Sequence, residues 1–301
     1  MNTIRSMKHR FAIYLLLAAS VFSEAQQQPA SQSGQAASSP AATQGSQPAP
    51  QPQAPPAWHP PQAKSQDEFA AYQNVIQQQD QEAFAKALAE FAGKYPQSEL
   101  RAPLYQMLTQ LSYRANKPDQ VLANGRKTVE LEPDNPVALA LMASALAEST
   151  HETDIDHDER LREAIKHAQQ VITTLDQSLP RYVPPNSAPE KIQDVKRQLL
   201  LLAWDAEGKA EMELKQDAKA QQSLEKALQY GPEEGLTRFR LALVLDRQGR
   251  YPEALGVVEL AIQNSRNDPA LNQQAQQEKS RLQQLTGTAS PGAPEPKPPQ
   301  R

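Results

Sequence analysis

Cysteine is absent from all 301 residues. The fold must therefore hold by packing alone, no thiol is available as a nucleophile, and no lipid can be attached to an N-terminal cysteine after processing. Glycine is sparse, at eleven residues, and none of them is arranged as G-x-G-x-x-G or as G-x-x-x-x-G-K-[ST], which excludes the familiar phosphate-cradling loops. No nucleophile elbow occurs. A serine–histidine pair would have to draw on His151, His157 or His167, which share one stretch, and no serine stands in motif context. Excess charge is also missing. The formal net charge is −4 and the isoelectric point about 5.8, which argues against a nucleic-acid ligand. Carboxylate pairs are plentiful, as on any charged helical surface, and carry no information. These absences predict a protein that is not an enzyme, with no catalytic residue, no cofactor and no metal.

The ends of the chain are equally poor in material for a core. Arg5, Lys8 and Arg10 precede the apolar run Phe11 to Phe22, and Ser23 and Ala25 supply small residues at −3 and −1 of a cleavage site. This is the layout of a cleavable secretory signal peptide over residues 1–25. The run is too short to span a bilayer, which needs ~20 residues, so no membrane span is expected after cleavage. Residues 26–64 form a tether of Gln, Pro, Ala and Ser with nothing charged before Lys64. Such a segment cannot offset the entropy of ordering and is expected to be disordered. Within it, Trp58 sits in the proline run Pro55 to Pro61. That segment is either spacer or a motif that docks on a groove. Residues 287–301, with five prolines, form a second disordered tail. A signal peptide places the mature chain in the periplasm or outside the cell.

Between these ends the chain reads as helix after helix. Ser65-x-x-Glu68 has the form of a capping box, so the folded part is expected to run from 65 to 286. Phe69, Tyr72, Val75 and Ile76, then Phe84, Leu88 and Phe91, recur at helical spacing. Asn116 to Asp119 reads as a turn. Asn135-Pro136 reads as N-cap and first helical residue, and the helix Pro136 to Ala147 that follows is apolar nearly all round. A helix of that kind has to be buried on several sides. Gln177 to Asn186 reads as a loop. Ser187-x-x-Glu190 is a second capping box, opening a helix that nothing interrupts before Leu214.

The last two helix pairs share a period. Trp204, Gly208, Ala220, Leu224, Ala227 and Pro232 stand at positions 4, 8, 20, 24, 27 and 32 of a 34-residue unit, and Ala254, Val258 and Ala261 return at 20, 24 and 27 of the next. This pattern resembles the tetratricopeptide repeat. The resemblance implies an all-α fold, a right-handed α-solenoid of about five antiparallel helix pairs plus a C-terminal capping helix. Position 8 has to be small where helix B crosses helix A, and the proline ends helix B. Counting back from Pro133 puts Leu108 and Thr109 at 7 and 8 of the second pair, and Met142 and Ala143 fall there in the third. The first pair fits poorly, with Phe84 and Phe91 where alanines belong.

The third pair carries an insertion. Ala164, Ala168 and Val171 look like positions 20, 24 and 27 but arrive nine residues late, after Ser149 to Glu159. Asp154, Asp156 and Asp158 alternate like the start of a calcium loop, but Glu159 and Ile165 occupy the places of its obligatory Gly and Glu. His151 and His157 have no distinctive zinc spacing. A solvated connection whose acids favour the N-terminus of the next helix explains the segment.

The same resemblance implies a site. In this family a concave groove is lined by helix A residues at positions 2, 5, 6, 9, 12 and 13. Carried onto this chain these include Gln106, Met107, Gln110 and Tyr113 in the second pair and Leu141 and Ser144 in the third. They include Asp205, Lys209 and Met212 in the fourth pair, and Phe239, Arg240, Leu243 and Arg247 in the fifth. The Lys/Asn/Arg set that clamps a terminal carboxylate in chaperone-binding members has no equivalent: Gln106 and Gln110 take two of its places, and Asp205 would repel such a ligand. Arg240 and Arg247 are either groove cations or solvated residues. With Met107, Tyr113, Met212 and Phe239 as apolar anchors, the implied partner is a protein or peptide, and the implied role that of a scaffold in an envelope assembly. The alternative is a structural protein that self-associates through the long fourth helix A or the apolar third one.

Overall fold

The computed structural model describes residues 60–184, 186–265 and 267–287. The expected signal peptide, nearly all of the expected tether with Trp58, and nearly all of the expected tail lie outside them. Eleven α-helices and no strand are formed among the described residues: α1 (Gln66–Ile76), α2 (Gln81–Lys94), α3 (Arg101–Arg114), α4 (Pro118–Leu131), α5 (Pro136–Ser149), α6 (His157–Ser178), α7 (Pro189–Glu213), α8 (Asp217–Tyr230), α9 (Gly235–Arg247), α10 (Tyr251–Asn264) and α11 (Pro269–Leu285). A single 3-10 turn, Leu179–Arg181, follows α6.

The helices pack as an α-solenoid of successive helix pairs. From α3 onward each odd-numbered helix lies against the even-numbered helix that follows it, that helix lies against the next odd-numbered one, and successive odd-numbered helices also touch. Successive even-numbered helices do not pack to a comparable degree. The stack therefore bends toward the odd-numbered (A) helices, whose outer surface forms its inner face. The first pair is looser, since α1 packs on α2 but not appreciably on α3.

Local chemistry accounts for the breaks. The Ser65 hydroxyl accepts from the backbone N–H of Glu68 at 3.1 Å, the first half of the capping box, while the Glu68 carboxylate reaches one residue past the N-cap and accepts from the N–H of Lys64 at 2.6 Å. Ala63 packs on the first pair and the Lys64 ammonium donates to the Gln97 carbonyl at 3.2 Å, tying the approach to the fold. Asn116 and Gly249 take the left-handed conformation, with φ of 53° and 74°, at the α3–α4 and α9–α10 turns. The second predicted capping box does not form. Ala188 is the N-cap of α7 and no side chain caps it, because Pro189 occupies the first helical position and Ser187 stands one residue outside. Asp156 likewise caps α6 by position without a side-chain hydrogen bond.

Asn135 does form its cap. Its side-chain oxygen accepts from the N–H of Ala138 at 3.0 Å, and its amide donates to Gln106 and Glu132, each at 2.8 Å. It is fully buried, so truncation strands three partners at once. Asn135→Ala is expected to cost about 1–2 kcal/mol, measured as a shift of the urea midpoint.

The core falls into three clusters. The first gathers Tyr72, Phe84, Leu88, Phe91, Leu100 and Leu104 from α1 to α3. Phe84 and Phe91, oversized for a regular repeat, are buried within this cluster. The central cluster runs from Tyr113 to Ala210 and is built around α5, every residue of which from Pro136 to Ala147 is buried. Since α3, α4, α6 and α7 cover α5, it is not free to pair with a second copy. The third cluster runs from Met212 through α8 to α11. The small positions act as expected: a Cβ on Gly208 would meet Leu224 Cγ at 2.7 Å and the Leu224 backbone nitrogen at 3.1 Å, so α8 crosses α7 there.

The central pair is longer than its neighbours at both ends of its connection. The helix α7 has 25 residues, about 37 Å at 1.5 Å per residue, as its uninterrupted pattern predicts. The preceding segment was expected to be loop from Gln177, but α6 continues to Ser178 and the 3-10 turn extends it to Arg181. Leu175, Leu179 and Val183 on that side face the same cluster as Val195 and Leu199 of α7, so the two extensions bury one another. Their tip is tied back to the α4–α5 turn by an Arg181–Asp134 ion pair and by the Tyr182 hydroxyl, 3.3 Å from the Asp134 carboxylate.

Candidate functional site

The inner face is the surface of α3, α5, α7 and α9. On α3, Gln106 and Met107 are half-buried, while Gln110 and Tyr113 are buried. The Gln106 carbonyl accepts from Asn135, and the Tyr113 hydroxyl lies 2.7 Å from the Ser144 hydroxyl on α5. This bond joins successive A helices across the face. Leu141, Ser144 and, on α7, Met212 are buried. Lys209 is paired with Glu213 one turn along the same helix.

The most ordered charge in the molecule lies between α5, α7 and α9. Arg240, 4 % exposed, places one guanidinium nitrogen 2.7 Å from Asp205 of α7 and the other against Glu148 of α5. Thr237, one turn before Arg240 on α9, donates to the second Asp205 oxygen at 2.7 Å. Burial acts to lower Arg240, but Asp205 and Glu148 outweigh it and hold the guanidinium above its ordinary value. The Asp205 carboxylate is thereby neutralised inside the fold. The sequence had set Asp205 and Arg240 side by side in the groove without pairing them. Arg247 is the more exposed of the two arginines and binds the Met212 carbonyl at 3.0 Å and Asp217 at 2.5 Å.

Apolar side chains also stay part-open on this face, beside the exposed Arg247 and the half-buried Gln106 and Lys209. Phe239 and Leu243, one turn apart on α9, are half-buried, as is Met107 on α3. Phe239 packs against the third cluster and Met107 against the first, and each keeps part of its surface exposed. Such a surface can take apolar side chains of a partner, and the ion pairs around it are already satisfied internally.

Two participants escaped the sequence reading. Glu148 stands at position 13 of the third pair, a groove position, and Thr237 lies one helical turn from Arg240. The partition of charges was knowable only once α5 and α9, 92 residues apart at this contact, were brought together by α7.

The insertion between α5 and α6 offers no site of comparable order. Asp154 accepts from the backbone N–H of His151 at 2.8 Å, His157 contacts Asp158 at 2.9 Å, and Ile155 is fully exposed. Among the described residues no group of three His, Cys, Asp or Glu side chains is placed to hold a metal ion, and no helix is long and apolar enough to cross a membrane.

No family model matches the chain, and no curated protein matches it. Among solved structures, the chain is similar to a thermophilic TPR protein from Thermus thermophilus, at 17 % identity and a TM-score of 0.43, over 70 % of this chain and 98 % of that one.

Proposed function

We propose that the inner face of the solenoid holds a protein or peptide partner, and that the chain is an exported scaffold acting in a cell-envelope assembly. The observation that carries the first part is the face itself. Met107 and Phe239 pack on the core and stay part-exposed, Leu243 is half-buried one turn from Phe239, and Arg240 and Arg247 beside them are paired within the fold. The Lys8–Ala25 layout at the N-terminus supports export. The site is a docking surface, and no catalytic step is proposed for it.

A photo-crosslinking residue at position 239 in the native host tests this, with a second at Lys226, exposed on α8, as control. A discrete adduct to another protein from position 239 alone supports the proposal, and mass spectrometry names that protein. With the partner purified, Phe239→Ala combined with Leu243→Ala is expected to weaken binding by about tenfold or more, since each removes apolar contact area. Adducts of the chain to itself would replace the proposal with self-association, for which only the α7 extension remains of the two helices the sequence suggested. Equal adducts from both positions would remove the inner face as the site.

A further inference from the structure

The seam between the central and C-terminal clusters carries acids where the other pairs carry uncharged residues. At position 7 of the repeat the second, third and fifth pairs carry Leu108, Met142 and Leu241, whereas the fourth carries Glu207. At position 11 the second pair carries Ser112, the third and fifth carry Leu146 and Leu245, and the fourth carries Glu211. Both glutamates are buried, 5 % and 4 % exposed. They lie one turn apart on α7, on either side of Gly208, where α8 crosses within van der Waals contact. Ala206 and Ala210 on the same helix belong to the central cluster and Met212 to the C-terminal one, so the pair stands at the boundary between them.

Their partners are few. From α6, the Gln169 amide donates to one Glu207 oxygen at 2.8 Å, and the other Glu207 oxygen has no hydrogen bond. From α8, the Ser223 hydroxyl is 2.7 Å from Glu211, and Lys219, an exposed residue, is the cation that acts on both. The other helices against α7 bring Glu148 (α5) and Arg240 (α9), which are committed to each other and to Asp205. Asp205 lies two residues from Glu207, about 200° around the helix. Among the described residues no buried cation compensates the two carboxylates. Burial raises both, Glu211 to about 7, where repulsion from Glu207 adds to it.

We infer that Glu207 and Glu211 form a proton-controlled joint between the central and C-terminal parts of the solenoid, closed when protonated and loosened as both ionise. A carboxyl held above its unfolded value keeps its proton in the native state after the unfolded chain has lost it. Stability contributed by the pair is therefore present at low pH and falls as pH rises from about 4.5 to about 7. The joint moves α7, whose opposite side carries Asp205 on the inner face, so proton loss is transmitted to that face.

The test is urea unfolding of the full chain at pH 5.0 and pH 8.0, with and without Glu207→Gln and Glu211→Gln together, in a Trp58→Phe background so that Trp204 on α7 alone reports. The unmodified pair is expected to lose on the order of a hundredfold in its folding equilibrium between the two pH values, and the double variant only a small part of that. His167, half-buried on α6 and held below its ordinary value by loss of hydration, works in the opposite direction, so the difference between the chains is the readout. Identical pH dependence with and without the carboxylates would overturn the inference. Should the double variant not fold, carbon-13 NMR of the intact protein decides. A glutamate carboxyl titrating near neutrality upholds the joint, and titration of every glutamate below about pH 5.5 removes it.

Discussion

Arg240→Met is expected to destabilise the solenoid by about 3–5 kcal/mol, the cost of stranding buried charge. The guanidinium lies 2.7 Å from the Asp205 carboxylate, which is itself only 3 % exposed. With Arg240 gone, Asp205 retains the Thr237 hydroxyl, which supplies a dipole in place of a charge. Glu148 is more exposed and recovers part of its hydration. Most of the loss therefore belongs to Asp205, and this dictates a second result. Asp205→Asn in the Arg240→Met background should recover a substantial part of the stability, although Asp205→Asn alone removes a favourable partner and destabilises. The non-additivity of the pair, measured by urea unfolding of the four proteins, isolates the ion pair from the packing of the two side chains. Because Arg240→Met perturbs three helices of the inner face at once, a loss of partner binding in it would be indirect. Phe239 and Leu243, half-buried and outside the ion-pair network, are the residues that report on docking itself.

The contrast between those two kinds of residue marks where sequence reasoning stops. Period and residue size carried the architecture. Gly208, Ala220 and Ala227 were assigned to close contacts because nothing larger fits a helix crossing, and the Gly208–Leu224 approach is of that kind. The burial of α5 followed from its lack of a polar face, and the length of α7 from the lack of any breaker between Pro189 and Leu214. These are local properties, fixed within one or two helical turns. The groove positions supplied by the resemblance are also local, and they say which face a side chain lies on. They do not say how far the next helix stands or which charge it brings. Arg240 and Asp205 are on the inner face by register, yet their burial depends on the approach of α5 and α7, and Glu148 was overlooked although its register was available. The Ser187 capping box failed for a similar reason: the motif fits the spacing, but the helix begins at Pro189, so its N-cap is Ala188. Glu207 and Glu211 were visible as acids at repeat positions uncharged in the other pairs, and comparing the pairs column by column would have singled them out.

A solenoid responds to the same substitution differently along its length, and this sets the second large effect. Leu146 and Leu282 are both fully buried leucines. Removing either side chain to alanine forfeits similar transfer energy and leaves a similar cavity, about 2–5 kcal/mol where the surroundings cannot collapse. Leu146 lies on α5, enclosed by helices on both sides along the stack, so its loss weakens the contacts of the central cluster with both neighbours. Leu282 lies on α11, the last described helix, which packs on α10 and α9 only. In a stack held by nearest-neighbour contacts, a terminal unit can open alone, and its defect need not be shared. Leu146→Ala should therefore shift the unfolding transition seen through Trp204 by the full amount. Leu282→Ala should leave that transition within about 0.5 kcal/mol and bring forward an early loss of helical circular dichroism as α11 detaches. Equal shifts of the Trp204 signal by both variants would mean that the three clusters unfold as one cooperative body. In that case the polar seam at Glu207 and Glu211, although placed between two clusters, could not act as a joint without unfolding the whole chain.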